Sequence, residues 1–143
     1  MIPWPFPVRA AWVILPALIP LGNRKWRHSR RCCFTISDVN GEDAPVTIWI
    51  EEGEETDLAS VPKMPGVYLW FSDKGELAAI GHDKLYGDKW PREWSDAVFY
   101  ALLANTVSDL DAYLMWAAVR VGGAAFYADT IPQPPPETER QAP

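Results

Sequence analysis

The sequence predicts an α+β fold in which an N-terminal antiparallel β-hairpin or small sheet packs on about three α-helices. Two short stretches, residues 31–36 and 46–50, are rich in residues that favour strands, and residues 38–41 between them have turn chemistry. After residue 75 the apolar residues recur at helical spacing. Strands followed by a run of helices are typical of the α+β class.

The length and charge of the chain bound its organisation and its partners. At 143 residues and 48% hydrophobic residues, the chain suits a single domain. A net charge of -6 argues against nucleic-acid binding, which depends on clustered Lys and Arg. The basic cluster at residues 24–31 is therefore interpreted as a solvated face or as a contact for an acidic partner. Neighbouring cysteines Cys32 and Cys33 point to opposite faces of a strand, which disfavours an intrachain disulfide and fits synthesis in a reducing cytoplasm.

The first 22 residues are predicted to form a Pro/Trp-rich arm that packs on a partner or on the domain. Five prolines interrupt this segment, and the apolar run at residues 10–21 is shorter than the roughly 20 residues that a membrane span needs. A short membrane-interacting or signal segment is the alternative. The domain itself is expected over residues 23–128. Residues 129–143 are expected to be a disordered Pro-rich tail, because they hold too little apolar content to fold.

The helical patterns predict three helices. The first covers about residues 76–86 and stops at Gly87, and the second runs from about Pro91 to Asn105. Ser108 is expected to cap the third helix, and residues 122–123, a Gly-Gly pair, are expected to end it.

A cluster of polar residues on these helices is the candidate site. His82 and Asp83 both share a helix face with Tyr86, at spacings of four and three residues. Asp96 projects from an apolar stripe of the next helix, and the short connection between the helices could bring it to His82. A His-carboxylate dyad of this kind fixes the imidazole tautomer and lets the other ring nitrogen take a proton from water. A buried polar network that holds two helices in register is the equally weighted alternative.

Asp57 is a further candidate, with a less distinctive setting. It lies in residues 56–62, a polar segment closed by proline that suggests an ordered loop. Asp side chains often bond to nearby backbone amides and build turns, so a structural role and a functional role are both open for this residue.

Four ordered motifs resemble a family of small proteins, the domain-of-unknown-function family 1353, which tailed bacteriophages and prophages encode. The motifs are residues 56–62, 81–86, 95–99 and 118–122, and the resemblance covers roughly residues 26–123. The family has no settled activity. The resemblance implies a phage origin, and with it a virion or lysis protein made in the host cytoplasm.

A more distant similarity concerns mechanism. Secreted phospholipases A2 carry a His-Asp-x-x-Tyr motif on one helix and a carboxylate on the next, which is similar to His82, Asp83, Tyr86 and Asp96. The similarity implies that His82 is the general base, that Asp96 orients it, and that Asp83 binds Ca²⁺ with help from backbone carbonyls or Asp57. The cysteines that flank the motif in those enzymes are missing here, and no Gly-rich calcium loop is recognisable.

Two functions are therefore expected from the sequence. The first is a phospholipase A2-like ester hydrolase that acts on lipids of the host envelope during entry or lysis. The second is a non-enzymatic tail or capsid accessory protein, whose N-terminal arm docks on other virion proteins through Trp4, Phe6 and Trp12.

Overall fold

Six strands precede three helices in the part of the chain that the structure describes. The structure, a computed structural model, describes residues 8–23, 25–38, 44–56 and 75–129, with side chains as far as Gly122. The strands are β1 Val8–Ile14, β2 Leu18–Gly22, β3 Lys25–His28, β4 Cys32–Asp38, β5 Val46–Ile50 and β6 Glu55–Thr56, and the helices are α1 Glu76–Gly87, α2 Arg92–Leu103 and α3 Asp109–Asp129. The predicted α+β class is confirmed.

The predicted hairpin supplies two of the three strands of the larger sheet. Strands β4 and β5 pair antiparallel, with Phe34 opposite Ile48, and β1 pairs antiparallel with the other edge of β4. Phe34 and Ile48 have no exposed surface because this face of the sheet is covered by the helices. Burying each such side chain contributes about 1.5–3 kcal/mol to folding. The predicted turn at residues 40–41 lies outside the described residues.

A smaller sheet has the order β2-β3-β6 and is also antiparallel. Strand β2 has one neighbour in this sheet, so it is an edge strand. Pro20 of β2 lies opposite Trp26 of β3. A proline is tolerated at an edge because its missing amide hydrogen faces away from the neighbouring strand.

Residues 8–22 of the predicted N-terminal arm pack on the domain as strands of both sheets, and they are therefore part of the domain. In β1 the side chains of Val8 and Ala10 are buried, and the side chain of Asn105 donates a hydrogen bond to the carbonyl of Ala10, at 2.7 Å. The segment between Pro7 and Pro16 is long enough for a seven-residue strand whose alternate residues face the core. The domain therefore begins at or before Val8, and residues 1–7 lie outside the described residues.

The first two predicted helices are confirmed, and the end of the third is corrected. The amide of Asp111 donates to Ser108 Oγ at 3.2 Å, which is the predicted cap. Helix α3 continues through the Gly-Gly pair to Asp129. Among the described glycines, only Gly22 and Gly53 have a positive φ, so Gly122 does not adopt the left-handed conformation that ends helices. The predicted disordered tail beyond Asp129 lies outside the described residues.

Helix α2 packs on the larger sheet and on both other helices. Its residues Ala97, Val98, Phe99 and Leu102 are buried in the core, and it contacts β1, α1 and α3. Gly81 allows α1 to approach α2 closely, since a Cβ atom at this position would lie 2.7 Å from Leu102 Cδ1. Within the described residues, no helix is both long enough and apolar enough to span a bilayer.

Candidate functional site

The predicted contact between His82 and Asp96 is present at the α1–α2 interface. His82 Nε2 lies 2.6 Å from Asp96 Oδ1, and neither side chain has any exposed surface. A carboxylate can only accept, so Nε2 carries the hydrogen and Nδ1 carries the lone pair. Nδ1 has no hydrogen-bond partner among the described residues, although it is buried. The dyad therefore leaves one basic nitrogen unused.

Three hydrogen-bond donors converge on the Asp96 carboxylate, and His82 is one of them. The hydroxyl of Tyr86 donates to Oδ1 at 2.7 Å, and Arg120 Nη1 donates to Oδ2 at 2.7 Å. Arg92 reaches Oδ2 more distantly, at 3.9 Å. Together with His82, these groups connect all three helices through a single buried carboxylate. We call His82, Tyr86, Arg92, Asp96 and Arg120 the Asp96 cluster.

Arg92 fastens α3 to the Asp96 cluster. Its Nη2 donates to the backbone carbonyls of Val119 and Arg120, and its Nε donates to the Tyr86 hydroxyl at 3.3 Å. Carbonyl groups in the middle of α3 thus accept bonds from a cation on α2. This arrangement holds the Arg120 side chain where it meets Asp96.

The electrostatics of the cluster keep the imidazole neutral and the carboxylate ionised. Burial lowers the pKa of His82 below its ordinary value of 6.5, and the opposing attraction of Asp96 does not restore it. Burial would raise the pKa of Asp96, but the hydrogen bonds from His82, Tyr86 and Arg120 outweigh it and hold this pKa below 3.8. Burial and the adjacent carboxylate raise the pKa of Tyr86, which therefore stays protonated. A neutral histidine with a free lone pair can accept a proton.

Aromatic rings enclose the imidazole. The His82 ring centroid lies 4.1 Å from that of Tyr86 and 4.9 Å from that of Phe99. The imidazole is therefore packed against two aromatic rings. Nδ1 is itself buried.

A model of the family described as "Protein of unknown function (DUF1353)" matches residues 36–119, which is more than half of the chain. The chain belongs to this family. The predicted family membership is therefore confirmed. His82, Tyr86, Arg92 and Asp96 lie within the matched part of this DUF1353 protein, and Arg120 is the residue that follows it. No curated protein and no solved structure matches the chain.

Asp83, one of the two residues predicted to bind calcium, is not part of the Asp96 cluster. Asp83 Oδ2 accepts a hydrogen bond from Thr56 Oγ1 at 2.5 Å, which joins α1 to β6. Asp57 lies outside the described residues. Among the described residues of this DUF1353 protein, no three His, Cys, Asp or Glu side chains are grouped so that they could hold a metal ion. Calcium stays a prediction, and no step of the mechanism below depends on it.

A cavity of about 780 Å³ lies elsewhere, between β1 and the end of α2. Arg9, Tyr100, Asn105 and Asp109 contribute polar groups to its wall. No member of the Asp96 cluster lines it. The polar wall of this cavity and the buried imidazole are therefore separate features of the molecule.

Sequence reasoning missed the two arginines. Arg92 precedes Asp96 by four residues on one helix, a spacing that favours an ion pair and could have signalled the contact. Arg120 lies on a different helix, 24 residues after Asp96. Its contact with Asp96 depends on how α2 and α3 pack, and spacing within one helix carries no information about that packing.

Proposed function

We propose that this DUF1353 protein is a phage-encoded ester hydrolase of the phospholipase A2 type, acting on lipids of the host envelope, with His82 as general base. One observation carries the proposal: Asp96 fixes the imidazole tautomer at 2.6 Å, and the opposite nitrogen, Nδ1, is buried without a partner in the described residues. A buried polar atom without a partner is costly, and such atoms in native proteins often have a catalytic role.

The proposed reaction uses the lone pair of Nδ1. A water molecule gives its proton to Nδ1 as its oxygen attacks the ester carbonyl, and the carbonyl electrons move onto the oxygen. When the tetrahedral intermediate collapses, the ester C–O bond breaks and the imidazolium returns the proton to the leaving alkoxide. Asp96 stays ionised throughout and stabilises the imidazolium. Tyr86 and Arg120 act as positioning residues, because they hold the carboxylate and not the substrate.

The burial of His82 sets a requirement on this reaction. The imidazole has no exposed surface and lies against Tyr86 and Phe99, so water has to enter beside Nδ1 before turnover. Phe99→Ala would widen that side of the ring. If entry of water limits the rate, this variant should turn over faster than the natural protein, provided that it remains folded.

The direct test is release of fatty acid from vesicles of bacterial phospholipid, with calcium and with a chelator. His82→Ala and Asp96→Ala should abolish release. If circular dichroism shows that either variant has lost its fold, His82→Gln serves as the milder variant. His28→Gln is the matched control, since His28 is also buried but its ring lies against Cys32, and no carboxylate of the described residues hydrogen-bonds to it. Absence of release by the natural protein in calcium would remove the main support for a hydrolase.

The second candidate is a non-enzymatic virion component, a tail or capsid accessory protein that docks on other virion proteins. The observation in its favour is that the Asp96 carboxylate is sealed and fully hydrogen-bonded, as in a network whose role is to hold helices together. In this case Trp4 and Phe6, within residues 1–7, are the docking residues.

Truncation distinguishes the second candidate, provided that it spares β1. A protein without residues 1–7 keeps Val8–Ile14 and therefore keeps the core sheet, whereas removal of all residues before Asn23 would destroy it. The short truncation should fold normally but fail to enter particles. Particles that retain a normal amount of the truncated protein would contradict a docking role for these residues.

A further inference from the structure

An exposed apolar corner connects the two sheets. It consists of the end of β1, the connection at residues 15–17, and β2. Its side chains are branched aliphatics, and Val13 and Leu15 are 63% and 53% exposed. The members of this β1–β2 corner are Val13, Ile14, Leu15, Ile19 and Leu21. Five exposed large aliphatic side chains therefore lie within nine residues, and exposed apolar surface of this extent can mark an interaction site.

Hydrogen bonds fasten the connection in the corner to the end of β3. The amide and hydroxyl of Ser29 both donate to the carbonyl of Ala17, at 2.8 and 3.0 Å. Arg30 Nη2 and Nε both donate to the carbonyl of Leu15, at 2.8 and 3.1 Å. The exposed aliphatic side chains are thus carried by a backbone with defined partners, and Arg30 places a cation beside Leu15.

Cations surround the corner on the face of β2 and β3. Ile19 lies directly opposite Arg27 in the antiparallel pair, so the two side chains project from the same face, and Lys25 shares that face two residues earlier. Glu55 lies opposite Arg27 on its other side and is the acidic group of this face in the described residues. Lys25, opposite Gly22 of β2, and Arg30, bonded to Leu15, add two cations to the rim of the corner. The acidic residues 51–55 meet the opposite edge of β3, where the amide of His28 donates to the carbonyl of Glu54.

The charge of the whole chain is divided in the same way. Residues 1–37 contain six Lys or Arg and no Asp or Glu, whereas the remaining residues contain seven Lys or Arg and all nineteen Asp or Glu. An acidic protein therefore has one basic region, and that region contains the exposed aliphatic side chains. Aliphatic side chains bordered by Lys and Arg bind anionic lipid surfaces by partial insertion and by attraction to the headgroups.

We propose that the β1–β2 corner docks on an anionic lipid surface. The composition of the corner favours lipid over a protein partner, because energetically dominant protein contacts usually contain Trp or Tyr and are poor in Leu and Val. The exposed apolar residues here are Val, Ile and Leu alone. The proposal goes beyond the proposed hydrolysis and does not depend on it, since a protein without turnover would bind in the same way.

Co-sedimentation of the full-length protein with vesicles tests this docking. The protein should bind vesicles of equal parts phosphatidylglycerol and phosphatidylcholine, and binding should weaken in ~1 M salt, where the Debye length falls to about 3 Å. Vesicles of phosphatidylcholine alone should bind at least about tenfold less. No binding to either vesicle, or equal binding to both, would overturn the proposal.

Matched variants locate the surface. Leu15→Ser should weaken binding at least about tenfold, whereas Leu110→Ser, at a 63% exposed position on α3, should leave it unchanged. Lys25→Gln should weaken binding about fivefold, as expected for one cation at an anionic surface, whereas Lys89→Gln, in the α1–α2 connection, should not. Equal effects within either pair would refute the assignment.

A second variant serves if Leu15→Ser lowers the helical circular dichroism signal. Val13→Ser probes the same surface and leaves the hydrogen bonds between Arg30 and Leu15 in place. A corner variant that still binds anionic vesicles but is missing from virus particles would assign the corner to a protein partner, and would overturn the lipid proposal.

Discussion

Replacing Asp96 by Asn should strongly destabilise the protein. The carboxylate accepts hydrogen bonds of 2.6, 2.7 and 2.7 Å from His82, Tyr86 and Arg120. An Asn amide offers one acceptor oxygen and two donor hydrogens, so at least one of these donors would face another donor, and the charge of Arg120 would lose its partner. Removing one member of a buried ion pair costs about 3–5 kcal/mol. Arg120 is 31% exposed and can recover some hydration, which favours a loss of about 3 kcal/mol.

Arg120→Gln supplies the comparison. A hydrogen bond to a charged group is worth about 1.5–3 kcal/mol, and partial exposure reduces that value. Arg92 lies 3.9 Å from the same carboxylate and retains part of the attraction. We expect this variant to lose about 1–2 kcal/mol. Because the two side chains contact each other, the double variant should lose less than the sum of the single losses, by about 1 kcal/mol.

Urea unfolding followed by tryptophan fluorescence and by circular dichroism measures all four proteins. The midpoints should fall in the order natural protein, Arg120→Gln, Asp96→Asn, and the dependence on urea should stay constant if the unfolded state is unchanged. A loss below about 1 kcal/mol for Asp96→Asn would refute the description of a buried, charged carboxylate. Additive losses in the double variant would refute a direct interaction with Arg120.

Two further predictions concern pH and glycine. Burial lowers the pKa of His82 below 6.5, so the unfolded chain binds the proton more readily, and the free energy of unfolding should fall as the pH drops below about 6.5, by at most ~1.4 kcal/mol per pH unit. In urea titrations, His82→Gln should remove the pH dependence that His82 contributes. His28→Gln should report separately on His28, whose pKa is also lowered by burial. Identical pH profiles for His82→Gln and the natural protein would contradict the lowered pKa of His82. Gly122→Ala should stabilise the helix by about 0.5–1 kcal/mol, because no atom lies within 4 Å of the new Cβ. Gly81→Ala should be at least about 1 kcal/mol less stable than Gly122→Ala, because Leu102 has to move. Equal unfolding temperatures for the two glycine variants would show that the α1–α2 contact is not tight.

Local patterns in the sequence predicted the elements that depend on local interactions. The hairpin of β4 and β5 follows from strand-forming residues, and the bounds of α1 and α2 follow from helical periodicity and from Pro91. The strands before Asn23 could not be predicted in the same way, since the prolines there suggest irregular chain and the pairing partners lie up to 30 residues away. The Gly-Gly pair wrongly predicted the end of α3, because glycine permits a helix end but does not impose one.

The candidate site was predicted in part. Helical spacing and a short connection were enough to predict the contact between His82 and Asp96, because the two residues lie on consecutive helices. Arg120 reaches the same carboxylate from 24 residues away, through the packing of α3 on α2. The burial of the imidazole likewise depends on tertiary packing. Phe99 of α2 packs against the ring, whereas sequence periodicity predicted only that the ring lies beside Tyr86.

The hydrogen bond from Asn105 to the carbonyl of Ala10 has a consequence for biosynthesis. It joins residues 95 positions apart, and β1 lies against α2 along the same interface. A chain that leaves the ribosome from its N-terminus therefore has to hold β1 without its helical cover until α2 has emerged. Contacts of such long range slow folding, because the intervening chain has to be ordered before they form. A chaperone that shields the first strand during synthesis should accordingly raise the yield of folded protein more than one added after release.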